Sequence, residues 1–152
     1  MWRAYVLATL ASLTFSVSAF ALPPHDLTAI PPAKADKHAQ GDYDGDGLTD
    51  QASFFERADG FLVLVVRLAA APDEPFEMWH GEIARTPYFS VRTAPPGTYR
   101  TLCYLYNGCE GRVPAEVTST YDGIIVHEPY GLSRNFYFYW DGARFRDILI
   151  AE

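Results

Sequence analysis

Phe61-Leu62-Val63-Leu64-Val65-Val66-Arg67-Leu68 is a near-continuous apolar run of strand length, rich in β-branched residues. It shows no polar alternation, so it reads as a central strand covered on both faces. Ala58-Asp59-Gly60, just before it, is a turn signal. Residues 51–56, with Ala52, Phe54 and Phe55, form a second strand pattern ahead of that turn. After the run, Ala71-Pro72-Asp73-Glu74-Pro75 breaks the chain, and 76–80 and 88–92 are short strand candidates. Thr93 to Gly97, with Pro95-Pro96-Gly97, reads as a turn. Residues 98–105 follow as a strand, and Asn107-Gly108 is a tight-turn dipeptide. Two hairpins complete the pattern: 115–120 with 124–128 across Tyr121-Asp122-Gly123, and 135–140 with 144–150 across Asp141-Gly142. In the last pair Phe136, Phe138 and Trp140 share one face, and Tyr137 and Tyr139 share the other.

Strands thus recur about every ten residues, mostly as hairpins, and no segment holds a helical period. The expected fold is all-β: an antiparallel meander forming a small sandwich or open barrel, in a single domain over 41–152. Residues 22–40, rich in Pro, Ala and Lys, read as an extended lead-in. His25 and His38 within it read as solvated. Before that lies a short basic start at Arg3, an uncharged apolar stretch over 4–17, and small residues around Ala21. This is the pattern of a cleavable secretory signal over 1–21, cut after Ala21. Uncharged Ser and Thr dilute the stretch, so a retained membrane anchor is the weaker reading and no membrane span is expected after cleavage.

The 152-residue chain carries a net charge of −7, and losing Arg3 would make it one charge more acidic. That balance argues against nucleic acid and against an anionic membrane surface as partners. Cys103 and Cys109 are the only cysteines. In an exported protein they are expected to form a disulfide, stapling a loop across Asn107-Gly108 for about 2 kcal/mol in the chain-entropy model.

Asp42-Tyr43-Asp44-Gly45-Asp46-Gly47-Leu48-Thr49-Asp50 is the clearest chemical feature. Asp42, Asp44, Asp46 and Asp50 take positions one, three, five and nine of a tight loop. Gly47 takes the sixth, where the turn is sharpest, and Leu48 the seventh, where a backbone carbonyl is offered. Carboxylates gathered at one point repel unless a cation neutralises them, and Ca²⁺ suits an oxygen-only set in flexible geometry. Position twelve, the bidentate Glu of an EF-hand, is Ser53 here, and no helix pattern flanks the loop. A Ca²⁺ sensor is therefore not expected. An affinity on the order of 10⁻⁵–10⁻³ M suits an extracellular module of this kind. The plainer alternative is an Asp/Gly-rich turn with no metal.

The loop and its sequel, through Asp59-Gly60 and the 61–68 strand, resemble the FG-GAP/VCBS repeat family of integrin-type propeller blades. The resemblance covers about residues 41–69. It implies calcium ligation by Asp42, Asp44, Asp46 and Asp50, with Leu48 through its carbonyl. A propeller needs several blades, and this chain carries a single copy of the loop. The remaining chain, with Pro96-Gly97-Thr98-Tyr99-Arg100-Thr101 and Phe138-Tyr139-Trp140-Asp141-Gly142, resembles small exported bacterial proteins that hold one such loop.

No nucleophile, zinc or phosphate-loop motif appears, and His80 and His127 are isolated. Glu128 follows His127 on a strand, where alternate residues face opposite sides. The expectation is a non-catalytic, periplasmic or secreted β domain stabilised by Ca²⁺, acting as a binding or interaction module for a protein or glycan of the cell envelope. Tyr104, Tyr106, Tyr121 and Tyr130, near predicted turns, are the candidate contact face, against ordinary packing and turn anchoring. The competing readings are an inhibitor or immunity protein against a cell-wall enzyme or toxin, and a carbohydrate-active enzyme. The last needs two carboxylates facing across a cleft, drawn from Glu77, Glu82, Glu110, Glu116 and Glu128.

Overall fold

The structure, a computed structural model, describes residues 27–29, 35–82, 88–106, 113–129 and 134–151. The expected signal over 1–21, the Asn107-Gly108 turn, Cys109 and Tyr130 lie outside the described residues. Of the lead-in, 27–29 and 35–40 are described.

Among the described residues the fold is almost all β, in two packed antiparallel sheets that do not close into a barrel. The first sheet is a meander of β3 (Asp50–Arg57), β4 (Phe61–Arg67) and β5 (Phe76–Glu82). On its far edge β1 (Leu27–Ala29) and β2 (His38–Gly41) lie end to end along β3. These two short strands carry no alternation to announce them. Their pairing rests mainly on backbone groups, which are the same for any sequence, with a His38–Ser53 side-chain contact added across β2–β3.

The second sheet orders as β11 (Phe145–Ile150), β10 (Arg134–Trp140), β9 (Gly123–Glu128) and β6 (Ser90–Ala94). A two-stranded piece, β7 (Gly97–Arg100) with β8 (Glu116–Ser119), completes the fold. Alternate side chains of the two large sheets meet in the main core. Leu62, Leu64 and Val66 of β4 face Val91, Ile124, Val126 and Phe138 of the other sheet, all but closed to solvent. Each such burial is worth about 1.5–3 kcal/mol.

As expected of a central strand, β4 is also buried on its second face, where Val63 and Val65 pack with Phe55. The Arg67 guanidinium lies 4.8 Å from the centre of the Phe55 ring. Arg57 ion-pairs both Asp59 and Glu77, reaching from β3 to β5. A second, smaller core lies on the other face of β9–β10–β11, where Tyr137, Ile125, Ile148 and Ile150 pack with Ala94 and Val117. The expected split of β10 therefore holds. Phe138 faces the main core and Tyr137 the second one.

Three local expectations need correction. The 115–120 and 124–128 strands are not a hairpin: β8 pairs β7, and β9 pairs β6 and β10. Pro95-Pro96 and Thr120-Tyr121-Asp122 are instead facing corners in one bent ladder, with Ala94 opposite Gly123 before the bend and Gly97 opposite Ser119 after it. The reason lies in the glycines. Gly60 and Gly142, in the true hairpin turns, have φ of 86° and 95°, whereas Gly123 has no positive φ. Gly123 is a contact glycine, since a Cβ there would lie 2.2 Å from the Tyr137 ring.

Second, 93–97 is not a closed turn, because β6 runs through Ala94 and β7 resumes at Gly97. Third, the strand expected over 98–105 stops at Arg100, and Cys103–Tyr106 form a 3-10 turn. Its backbone is claimed elsewhere: Thr101 bridges Ile150, and Leu102 N–H donates to the Leu149 carbonyl.

Candidate metal centre

The aspartate loop leaves β2 at Gly41 and enters β3 at Asp50. Gly45 and Gly47 take left-handed φ of 81° and 82°, which lets the chain curl. The curl is held by its own carboxylates. Asp42 accepts the Gly45 and Gly47 N–H groups at 2.8 and 3.1 Å. Asp44 accepts from Asp46 N–H at 3.1 Å, and Asp46 from Leu48 N–H at 2.7 Å.

Asp50 is fully buried and serves both neighbours. One oxygen accepts Tyr43 N–H and the other accepts Ala69 N–H, each at 2.8 Å. A buried carboxylate needs such partners, and here they tie the loop to the start of the β4–β5 connection.

Carboxylate oxygens of Asp42, Asp44 and Asp50 lie within 4.8 Å of one another. The Asp44 carboxyl is pushed above its ordinary range, first by burial and then by the charges of Asp50, Asp46 and Asp42. Asp46 stands outside that convergent set, with its oxygen on Leu48 N–H, and the Leu48 side chain is half exposed. Ser53, at the twelfth position, is in β3 with its hydroxyl 3.0 Å from His38 Nδ1. It is committed to the β2–β3 ladder, and His38 is half-buried there rather than freely solvated. The donors are all hard oxygens, and their mutual repulsion favours a cation, so the set fits Ca²⁺ better than a softer metal.

The loop is also a clasp between the sheets. Asp42 N–H donates to Asp122 Oδ2 at 3.1 Å, and Asp122 N–H donates back to the Asp42 carbonyl at 3.2 Å. Tyr43 is buried in the main core and its hydroxyl meets Thr93 Oγ1 at 3.1 Å. Thr93 in turn donates to the Gln40 carbonyl. Burial, chiefly, pushes the Tyr43 phenol up to about 12. Nothing in the sequence marks Asp122 or Thr93 for this role. Asp122 looks there like an ordinary turn residue, and nothing local marks a partner 80 positions away.

Of the four tyrosines read as a contact face, Tyr121 lies against the loop: a Cβ on Gly45 would come within 2.2 Å of its ring. That position anchors the loop and leaves about a third of the residue open. Tyr104 and Tyr106 fall in the 3-10 turn, their side chains outside the described residues. Cys103 is buried and is not a free thiol. His127 hydrogen-bonds Asn135 across β9–β10, and Glu77 is held by Arg57. Comparisons with family models, with curated proteins and with solved structures find no match.

Proposed function

We propose that the chain is a non-catalytic, exported β domain, stabilised by one Ca²⁺ ion and acting as a binding or interaction module. The observation that supports it most is the convergence of Asp42, Asp44 and Asp50 in a loop already curled by its own side chains. These three would hold the ion. Asp46 and the Leu48 carbonyl are the further ligands that the FG-GAP/VCBS resemblance implies. A bound cation would neutralise the crowded carboxylates and stiffen the clasp between the sheets. Its role would be structural, since the set offers hard oxygens only and no softer ligand to activate a reactive water.

The signal over 1–21 and a Cys103–Cys109 disulfide belong to the same proposal, because both fit a periplasmic or secreted protein. Calorimetric titration with Ca²⁺ tests the core of it. The expected outcome is a saturable heat, and a melting temperature that falls when a chelator is added. No heat, with melting indifferent to chelator, would sink the metal assignment.

A further inference from the structure

The two sheets meet differently at their two sides. At one side β2 and β6 are stitched together. Thr93 donates to the Gln40 carbonyl, and the buried Lys37 ammonium donates to the Phe89 carbonyl while pairing with Asp36. At the other side β5 and the β10–β11 hairpin stand apart and leave a groove of about 820 Å³. Phe76, Met78, Trp140 and Phe145 form its half-buried floor.

The rings of that floor are fixed. Phe145 meets Trp140 at 5.1 Å and 73°, and meets Phe76 at 5.9 Å and 66°, both edge to face. The hairpin tip that carries Trp140 is equally fixed. Asp141 accepts the Ala143 and Arg144 N–H groups and pairs with Arg146. Little ordering of the aromatic floor therefore remains for a ligand to impose, which favours binding there.

The rim offers carboxylates at Glu74 and Asp147 and a guanidinium at Arg144, so it holds acceptors and donors together. Its other charges are already engaged, Glu77 by Arg57 and Arg146 by Asp141. No single sign dominates the groove, and the whole chain is acidic at −7, which disfavours a polyanion. An added peptide strand is also disfavoured. The β4–β5 ladder slips between Leu64 and Val65, and β5 carries Glu77, His80 and Glu82; such bulges and charges keep foreign strands off an edge. What fits is a ligand with flat apolar faces, many hydroxyls and no net charge, in a groove sized for one small ligand.

We propose that this groove binds a neutral oligosaccharide, stacked on Trp140 and Phe145 and hydrogen-bonded through Glu74, Arg144 and Asp147. The proposal rests on the binding-module reading above, and none of the aspartate-loop residues lines the groove. The test uses the full calcium-loaded chain and hexamers of glucose, N-acetylglucosamine, mannose and xylose, with hexagalacturonate as the acidic control. Binding is read by tryptophan fluorescence and calorimetry.

At least one neutral hexamer is expected to bind saturably, and the acidic one is not. Trp140→Ala is expected to weaken that binding about tenfold or more. Arg144→Ala, an exposed change, is expected to weaken it roughly threefold with melting unmoved. No saturable binding of any neutral hexamer up to about 10 mM by the folded chain would overturn the proposal. So would binding indifferent to both variants, or capture of the groove by an extended peptide. A chain that binds calcium but no hexamer refutes the groove alone; one that binds a hexamer but gives no calcium heat refutes the metal alone.

Discussion

At the level of single residues, Asp50 is vulnerable because it is a carboxylate closed off from water. Each of its oxygens accepts a backbone N–H, one buried in the loop at Tyr43 and one part-buried at Ala69. Asp50→Ala would strand two donors, and the expected loss is about 3 kcal/mol in urea unfolding. The two loop glycines make a sharper comparison. Both have positive φ, but the space beside Gly47 is open while the Tyr121 ring fills the space beside Gly45. Gly47→Ala is expected to cost about 1 kcal/mol, from backbone strain alone. Gly45→Ala should cost clearly more, and the excess should vanish in a Tyr121→Ala background. A double-mutant cycle checks this, because residues in contact couple and distant ones do not.

At the level of elements, legibility followed the range of the interaction. The buried β4 strand, its hairpin with β3 and the β10–β11 hairpin could be read directly, because apolar runs and positive-φ glycines at Gly60 and Gly142 are local signals. Tyr121-Asp122-Gly123 carries the same letters as a hairpin turn yet makes a corner. Its glycine answers to Tyr137, and its aspartate to Asp42, neither of which is near in sequence. The edge strands β1 and β2 are hard to read for a different reason, since a ladder made mostly by backbone groups leaves little pattern in the side chains. The site was legible in the same proportion. Spacing points to Asp42, Asp44 and Asp50, which converge, and equally to Asp46, which does not; the Asp122 and Thr93 ties that mount the loop between two sheets leave no such local signal. One consequence can be measured: Gly123→Ala should cost about 2 kcal/mol or more, because the Tyr137 ring must leave its place. Gly142→Ala, with nothing beside it, should cost only about 1 kcal/mol from its φ. Paired denaturation curves would show that order, and the reverse order would refute the contact role of Gly123.

For the whole molecule, stability should narrow at both ends of the pH scale. Hydrogen bonding to Arg146, then to backbone N–H groups, holds the Asp141 carboxyl down to about 2. Its contribution is complete above the ordinary value of 3.8 and is lost as pH falls toward 2. Burial pushes Tyr43 and Tyr137 up to about 12. Their contribution is complete below the ordinary 10.0 and is lost as pH rises toward 12. Melting temperatures across pH would show both edges, and Tyr43→Phe should soften the alkaline one. The clasp has a consequence of another kind, in time. The Asp42–Asp122 bonds close a separation of 80 residues, so their closure carries a large chain-entropy cost and is expected to come late in folding. Interactions absent from the folding transition state govern how fast a protein comes apart, not how fast it forms. Asp122→Ala should therefore steepen the escape from the native state and leave the refolding rate nearly unchanged. In that sense the clasp works as a latch, setting the lifetime of the closed sandwich once the two sheets have met.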